Sequence, residues 1–261
     1  MENSITNSEE YDNPVLYDKE NESYRQDIPF LMKWASKIDG PIIDLACGTG
    51  RATIPLASNG HQLIGVDIHS AMLSEAKKKS ERLQLPIKWV EQDCTKLDLN
   101  TKSHLIFTVG NSFQHFLTNE DQDGLLFSVN RHLEMGGTFI FNTRFPSTEE
   151  LLQPAEEEYW KTYTDTETKQ RVDVYTISEY DALNQIQHYE TIRKFINIDG
   201  VIIDEKRTNI RLRYVFPKEM ERLLDSSGFE ILAIYQDWNE TGISNNSYSM
   251  IYVCKKARNR E

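Results

Sequence analysis

Three carboxylates in this chain sit where chemistry could use them. Asp44 closes the apolar run Pro41-Ile42-Ile43, Asp67 closes Ile64-Gly65-Val66, and Asp93 follows Trp89-Val90-Glu91-Gln92. Each apolar run reads as a strand, so the acids fall at the carboxyl ends of three successive strands. That edge is where open α/β sheets bind ligands. The first acid opens into a loop of small residues, Leu45-Ala46-Cys47-Gly48-Thr49-Gly50-Arg51. A helix-like segment, Ala52-Thr53-Ile54-Pro55-Leu56-Ala57, follows it. Strand, glycine turn and helix form a nucleotide cradle in which glycines let a ligand approach the backbone. Asp44 at the strand end would repel a pyrophosphate and favour a nucleoside that carries positive charge.

The elements that position these acids alternate regularly. Strand candidates are Ile42–Leu45, Gln62–Val66, Ile87–Val90, Leu105–Val109 and Thr138–Asn142; helix candidates between them are Thr49–Ser58, Ser70–Leu83 and Glu120–Leu133. Ser70 is read as an N-cap, and Gly136-Gly137 as the stop after the third helix. One or two helices over Tyr17–Ile38 precede the first strand, from the helical spacing of Tyr24, Ile28, Leu31, Met32, Ala35 and Ile38. The alternation predicts a parallel sheet with right-handed crossovers.

Near Pro146 the pattern changes. Residues 157–213 are rich in Tyr, Val, Ile and Thr with interleaved charges, which predicts three or four antiparallel strands, with a two-residue Asp-Gly hairpin at Asp199-Gly200. Pro217 opens a helix that Gly228 ends, and strands Glu230–Trp238 and Tyr248–Lys255 close the chain. The expected fold is α/β: a Rossmann-like, doubly wound, mostly parallel seven-stranded sheet over 1–150 and 213–261. Residues 151–212 form an antiparallel insertion, read either as a half-exposed sheet face or as a cover for the cleft or a homodimer surface.

The bulk properties exclude several classes. The 261 residues suffice for a full core, and 39% hydrophobic content is globular. With 41 acidic against 29 basic residues, a net charge of −12 argues against a nucleic-acid footprint. The chain start lacks the basic and apolar regions of a signal peptide, and no apolar run approaches the ~20 residues that span a bilayer. A cytoplasmic protein with no membrane partner is expected. Cys47, Cys94 and Cys254 lie far apart and six histidines are scattered, so no metal site is expected.

Over residues 15–145 and 213–256 the chain resembles the class I S-adenosylmethionine-dependent methyltransferases, of the small-molecule type. Asp44-Leu45-Ala46-Cys47-Gly48-Thr49-Gly50 is similar to the family's first motif, with Ala46 replacing its first glycine; the turn survives this unless φ there is positive. Gly65-Val66-Asp67-Ile68-His69-Ser70-Ala71-Met72-Leu73 resembles the second motif, and Glu91-Gln92-Asp93-Cys94 the third. The resemblance implies S-adenosylmethionine as cofactor. Asp44, Ala46, Cys47, Gly48, Gly50 and Arg51 would cradle it, Asp67 would accept from the ribose hydroxyls, and Ile68 and Met72 would flank the adenine. Asp93 and Cys94 would meet the adenine's polar edge, with Gly110 and Asn111 on the methyl side. Ser112 would face a small-molecule acceptor.

The catalytic candidates are His115, as a base beneath the methyl group or as a loop-packing residue, and Tyr17, over the cofactor or as an aromatic staple. Arg213 and Tyr214 would reach the pocket mouth from the end of the insertion, with surface pairing the alternative for the arginine. Cys47 reads as a packing residue. A pocket that binds the cofactor without turnover is a second reading. An NAD-dependent oxidoreductase is a third, disfavoured because its fingerprint needs glycine where the chain has Ala46 and Arg51. Nucleic-acid methylation is disfavoured because the loop after the fourth strand lacks an Asn-Pro-Pro-Tyr type signature.

Overall fold

A computed structural model describes residues 7–165 and 168–260, so what the sequence implied for the first six residues lies outside the described residues. The N-terminal segment opens with a short 3-10 turn at Glu9–Tyr11, then helix α1 at Pro14–Asn21 and helix α2 at Asp27–Ala35. Asn13 caps α1 by accepting from the Leu16 N–H, and Pro14 fills the first helical position, where no N–H is needed. Then follow β1 (Pro41–Leu45), α3 (Thr53–Ser58), β2 (Gln62–Asp67), α4 (Ser70–Arg82), β3 (Lys88–Glu91), β4 (Ser103–Thr108), α5 (Asn119–His132) and β5 (Leu133–Arg144). A short α6 (Thr148–Leu151) leads into β6 (Glu158–Thr164), β7 (Arg171–Asp181), β8 (Ile186–Ile196) and β9 (Ile202–Arg213). Helix α7 (Pro217–Ser226), β10 (Phe229–Tyr235) and β11 (Ser249–Lys256) finish the chain.

Seven strands form one sheet in the order β10-β11-β5-β4-β1-β2-β3. Strands β1 to β5 are parallel, and β11 runs antiparallel between β5 and β10. Period-two alternation splits the strand side chains between two cores. Ile43, Leu45, Ile106, Phe139 and Phe141 pack with Leu125, Val129, Met220 and Leu224 on one face; Ile42, Leu63, Leu105, Phe107 and Ile140 pack with Phe30, Leu31 and Leu56 on the other. Strand order reverses between β1 and β4, and a crevice opens at the carboxyl ends there.

Residues 158–213 make a second sheet, an antiparallel meander in the order β6-β7-β8-β9. Its edge strand β9 lies against the N-terminal segment, whose side chains take over the edge's hydrogen bonds. Asn7 pairs with both backbone groups of Arg211, and Glu9 accepts from the Asn209 N–H. An edge satisfied in this way is closed to further strand pairing.

Four local expectations are corrected. Gly136-Gly137 does not stop a helix: α5 ends at His132, and the pair lies within β5, where the pairing with β4 shifts register and Gly136 takes φ +78°. The Asp199-Gly200 hairpin is not a two-residue turn, because Ile196 pairs with Ile202 and residues 197–201 form a five-residue loop. The Asn197 side chain there accepts from the N–H groups of Asp199 and Val201, which stabilises the longer loop. Ser70 is the first residue of α4 rather than its cap; Asp67 instead accepts from the His69 N–H. Helix α3 begins at Thr53, since residues 46–52 are a loop with positive φ at Ala46, Gly48 and Gly50.

One glycine outside that loop is fixed by packing. The Trp89 ring lies across β2, with its indole N–H donating to Ser80 at 3.0 Å, and a Cβ at Gly65 would fall 2.3 Å from the ring. Neither the β2 backbone nor an indole held at its nitrogen can yield cheaply. Gly65→Ala is expected to cost about 1–3 kcal/mol of stability, in the range of core overpacking, read as a lower urea midpoint.

Candidate functional site

The crevice holds a cavity of about 440 Å³. The loop after β1 contributes Ala46 and Gly48; the end of β2 and start of α4 contribute Asp67, Ile68, His69 and Met72. The 3-10 turn after β3 brings Asp93, Cys94, Thr95 and Lys96, and the segment after β4 brings Gly110, Ser112, His115 and Phe116. Asn7, Tyr11 and Tyr17 from the N-terminal segment form the remaining wall, and Thr118 and Asp121 come from the start of α5.

Asp67 organises this arrangement. Its two carboxylate oxygens accept from the Gly48 N–H at 2.7 Å and the His69 N–H at 2.8 Å, binding the glycine loop to the start of α4. Burial pushes the Asp67 pKa up, while these backbone donors pull it down. Ala46 sits at φ +53°, so the condition under which the alanine matters is met. A left-handed residue with a Cβ is strained by about 1–2 kcal/mol, and the loop retains this because the Cys47 N–H bonds the Val66 carbonyl at 3.0 Å. Gly48, at φ +55°, leaves room for Met72, whose Cε would lie 3.3 Å from a Cβ there. Asp93 accepts from the backbone and hydroxyl of Thr95, which fixes the turn carrying Cys94.

The N-terminal wall is pinned from both sides. Asp18 accepts from Thr49 Oγ1 in the glycine loop at 2.5 Å and from Lys79 on α4 at 2.8 Å. Arg193 on β8, only 4% exposed, donates to Glu10 and to Glu20, each at 2.6 Å. Tyr11 and Tyr17 are thereby held over the cavity, and burial raises the pKa of each. Tyr11 shares a hydrogen bond of 2.8 Å with His115 Nε2, and Asn7 Nδ2 lies 3.2 Å from His115 Nδ1. Loss of solvent, reinforced by nearby His69, pulls the His115 pKa down to about 4, so the ring is neutral at neutral pH.

Of the residues singled out in the sequence, the cavity brings together Tyr17, Ala46, Gly48, Asp67, Ile68, Met72, Asp93, Cys94, Gly110, Ser112 and His115. The others stand behind it or elsewhere. Asp44 is 1% exposed, accepts from Thr53 Oγ1 at 2.6 Å and does not line the cavity; burial pushes its pKa to about 8. It is therefore uncharged at neutral pH, which corrects the picture of three anions in a row. Cys47 is buried, Gly50 abuts Trp89, and Arg51 forms a two-pronged pair with buried Asp27 at 2.8 and 2.5 Å. Asn111 exchanges hydrogen bonds with Asn142. Arg213 donates to the Leu117 carbonyl and Asn119, not into the cavity. Tyr214 is fully buried and donates to Glu150 at 2.5 Å beside Tyr189 and Arg144.

Asn7, Tyr11, His69 and Asp121 line the cavity although the sequence did not single them out. Tyr11 lies among acidic residues with no periodicity to mark it. Among the described residues, no helix is long and apolar enough to cross a membrane, and no group of three or more His, Cys, Asp or Glu is placed to hold a metal. All three cysteines are buried free thiols.

The geometry is that of a doubly wound α/β domain with a buried acid at the end of its second strand, and proteins of similar sequence and fold are known. Residues 42–137 match the family described as a methyltransferase domain. The putative methyltransferase YqeM of Bacillus subtilis (strain 168) is 25% identical over 230 residues, covering 84% of this chain and 85% of that one. An S-adenosylmethionine-dependent methyltransferase from Clostridium acetobutylicum ATCC 824 superposes with a TM-score of 0.77 at 22% identity, over 93% of this chain and 97% of its own. An amino pentose methyltransferase from Micromonospora echinaspora, solved with S-adenosylmethionine bound, gives 0.72 at 15% identity over 93% and 95%. The chain thus has the fold of S-adenosylmethionine-dependent methyltransferases, and its residues 42–137 are similar in sequence to a methyltransferase domain.

The state of Asp44 has a measurable consequence. Its folded-state pKa of about 8 lies above the ordinary carboxyl value of 3.8, so between those limits the folded chain holds a proton that the unfolded chain has lost. This contribution to stability is present below pH 4 and is lost as pH rises through 8, at up to about 1.4 kcal/mol per unit. Asp44→Asn, which cannot titrate, is expected to show a flatter stability profile between pH 5 and 8 than the wild type, measured by urea unfolding.

Proposed function

We propose that this protein transfers the methyl group of S-adenosylmethionine to a small-molecule acceptor by in-line displacement. The observation that carries this reading is the convergence of Ala46, Gly48, Asp67, Ile68, Met72, Asp93, Cys94, Gly110 and His115 on one cavity large enough for a nucleoside with its side chain. Asp67 fits the cofactor well: each oxygen accepts one backbone N–H, and a carboxylate has further lone pairs for the two ribose hydroxyls. Gly48 leaves backbone exposed at the cavity wall where a side chain would meet Met72. The cofactor supplies a methyl group on a positively charged sulfur. The protein holds the acceptor in line behind that methyl, keeps water out with Tyr11, Tyr17 and Phe116, and leaves Asp67 and Asp93 as the carboxylates in the wall beside it.

The acceptor atom we favour is an amine nitrogen. The His115 ring is neutral and both its nitrogens already have partners, while burial raises the pKa of the Tyr17 hydroxyl and pushes that of Tyr11 well above its usual value. A hydroxyl nucleophile must give up its proton to become reactive, whereas an amine that enters unprotonated attacks with its free lone pair and releases its proton after the methyl has transferred. His115 then orients groups rather than removing a proton, in contrast to the base role considered from sequence. One relative by fold is a sugar N-methyltransferase from Streptoalloteichus sp ATCC 53650, which agrees with this choice.

Calorimetric titration with S-adenosylhomocysteine tests the first half. Asp67→Ala is expected to weaken binding by about 1–3 kcal/mol, the cost of lost charge-assisted hydrogen bonds, and unchanged affinity would misplace the ribose. Transfer of labelled methyl from S-adenosylmethionine to a panel of amines and hydroxyl compounds tests the second half. In that assay log kcat/KM is expected to show no limb between pH 6 and 8 that disappears in His115→Gln. Such a limb would return His115 to the role of base.

A further inference from the structure

The polarity of the groups around His115 fixes where its proton lies. β9 is the edge strand of the second sheet, and Asn7 docks on that edge. The Arg211 N–H donates to Asn7 Oδ1 at 2.7 Å, and Asn7 Nδ2 donates to the Arg211 carbonyl at 2.9 Å. A backbone N–H can only donate and a carbonyl can only accept, so the amide has one orientation. The second hydrogen on Nδ2 is therefore the one that faces His115 Nδ1, 3.2 Å away. An amide nitrogen donates and does not accept, so Nδ1 must be the bare nitrogen. A neutral imidazole carries one proton, which places it on Nε2, 2.8 Å from the Tyr11 hydroxyl. Tyr11 oxygen accepts that proton's hydrogen bond, and its own O–H is left to donate elsewhere. Tyr11 lines the cavity, as do Asn7 and His115.

We propose that Asn7 is a positioning residue: clipped to the edge of β9, it holds the proton of His115 on Nε2 and so makes the Tyr11 hydroxyl a hydrogen-bond donor toward the bound acceptor. The relay turns an imidazole that could point either way into a device with one polarity. It links the second sheet to the reacting end of the cavity through three side chains, of which Asn7 is 5% exposed. The groups that face the ring are neutral or distant from its nitrogens: Asn7 and Tyr11 touch them, and His69 lies beyond Tyr11, 5.3 Å from it between ring centroids. If the reading of the site as a methyl-transfer pocket holds, the acceptor carries a lone-pair atom beside its nucleophile to receive the Tyr11 O–H.

Histidine-selective nitrogen-15 NMR on the whole chain at pH 7 tests the relay without any substrate, so its failure is separable from failure of the methyl-transfer reading. The His115 signals are assigned by their loss in His115→Gln. The wild type is expected to show Nε2 protonated and Nδ1 bare, by at least tenfold over the other form. In Asn7→Asp the side chain can only accept, and a proton is expected to appear on Nδ1. Tyr11→Phe, which leaves Asn7 in place, is expected to keep Nδ1 bare even if Asn7→Asp does not fold. A proton on Nδ1 in the wild type or in Tyr11→Phe, or a bare Nδ1 in folded Asn7→Asp, would overturn the proposal. A purely structural role for Asn7 would leave the ring proton unmoved.

Discussion

The site depends on one carboxylate accepting from two pieces of backbone. Asp67 ends β2 and receives N–H groups from the glycine loop after β1 and from the start of α4. Loops and helix ends leave donors without partners, and a buried donor without a partner costs about 1–3 kcal/mol. Asp67 resolves that at two places at once, and in doing so fixes the distance between the first two strand ends. Each oxygen takes one backbone N–H and so keeps further acceptor capacity, and the residue lines the cavity. On the proposed reading, structural constraint and ligand recognition fall to the same side chain. The strain at Ala46 is tolerated within this frame, where neighbouring backbone bonds over-determine the turn.

A second constraint closes the cavity. The N-terminal segment lies between the two sheets, and its acidic side chains are tied to both. Asp18 holds the glycine loop and α4, while Glu10 and Glu20 neutralise the buried Arg193 of the insertion. A buried guanidinium without such partners would be strongly destabilising, by about 3–5 kcal/mol. The segment is therefore held by the insertion as much as by the core, and the aromatic wall it carries is set by both sheets. The acidic character of the first residues, unremarkable as composition, is what docks them.

How much of this could be read in the chain follows from how local each signal is. Strand, small-residue loop and helix around residues 41–58 are adjacent in sequence, so the cradle was legible, as were Asp67 and Asp93 by their recurrence at strand ends. The late strands and the antiparallel meander were visible from β-branched content and charge alternation. Asn7 and Tyr11 were not, because their partners Arg211 and His115 lie 204 and 104 residues away and no spacing encodes that meeting. The ionisation of Asp44 was also invisible. A sequence shows an acid, whereas its charge depends on the water around it, and burial removes that water. Arg213 and Tyr214 illustrate the same limit: next to the last strand of the insertion, they turn to Asn119 and Glu150 instead of the cavity.

Burial also decides how polarity is distributed around the reacting end. Desolvation keeps Asp44 protonated behind the glycine loop and keeps His115 neutral beside it, so neither group adds charge where the nucleophile would sit. On the proposed reading a sulfonium in that region would meet Asp67 and Asp93 in the cavity wall, not Asp44, which lies behind the glycine loop. Methyl transfer disperses that positive charge as the bond to sulfur breaks, so a fixed anion placed close to the sulfur would stabilise the starting state more than the transition state. Catalysis rewards the opposite difference. On the proposed reading the cofactor is held by its nucleoside, the part that does not react, against Asp67 and Asp93, while neutral His115 adds no charge at the reacting end.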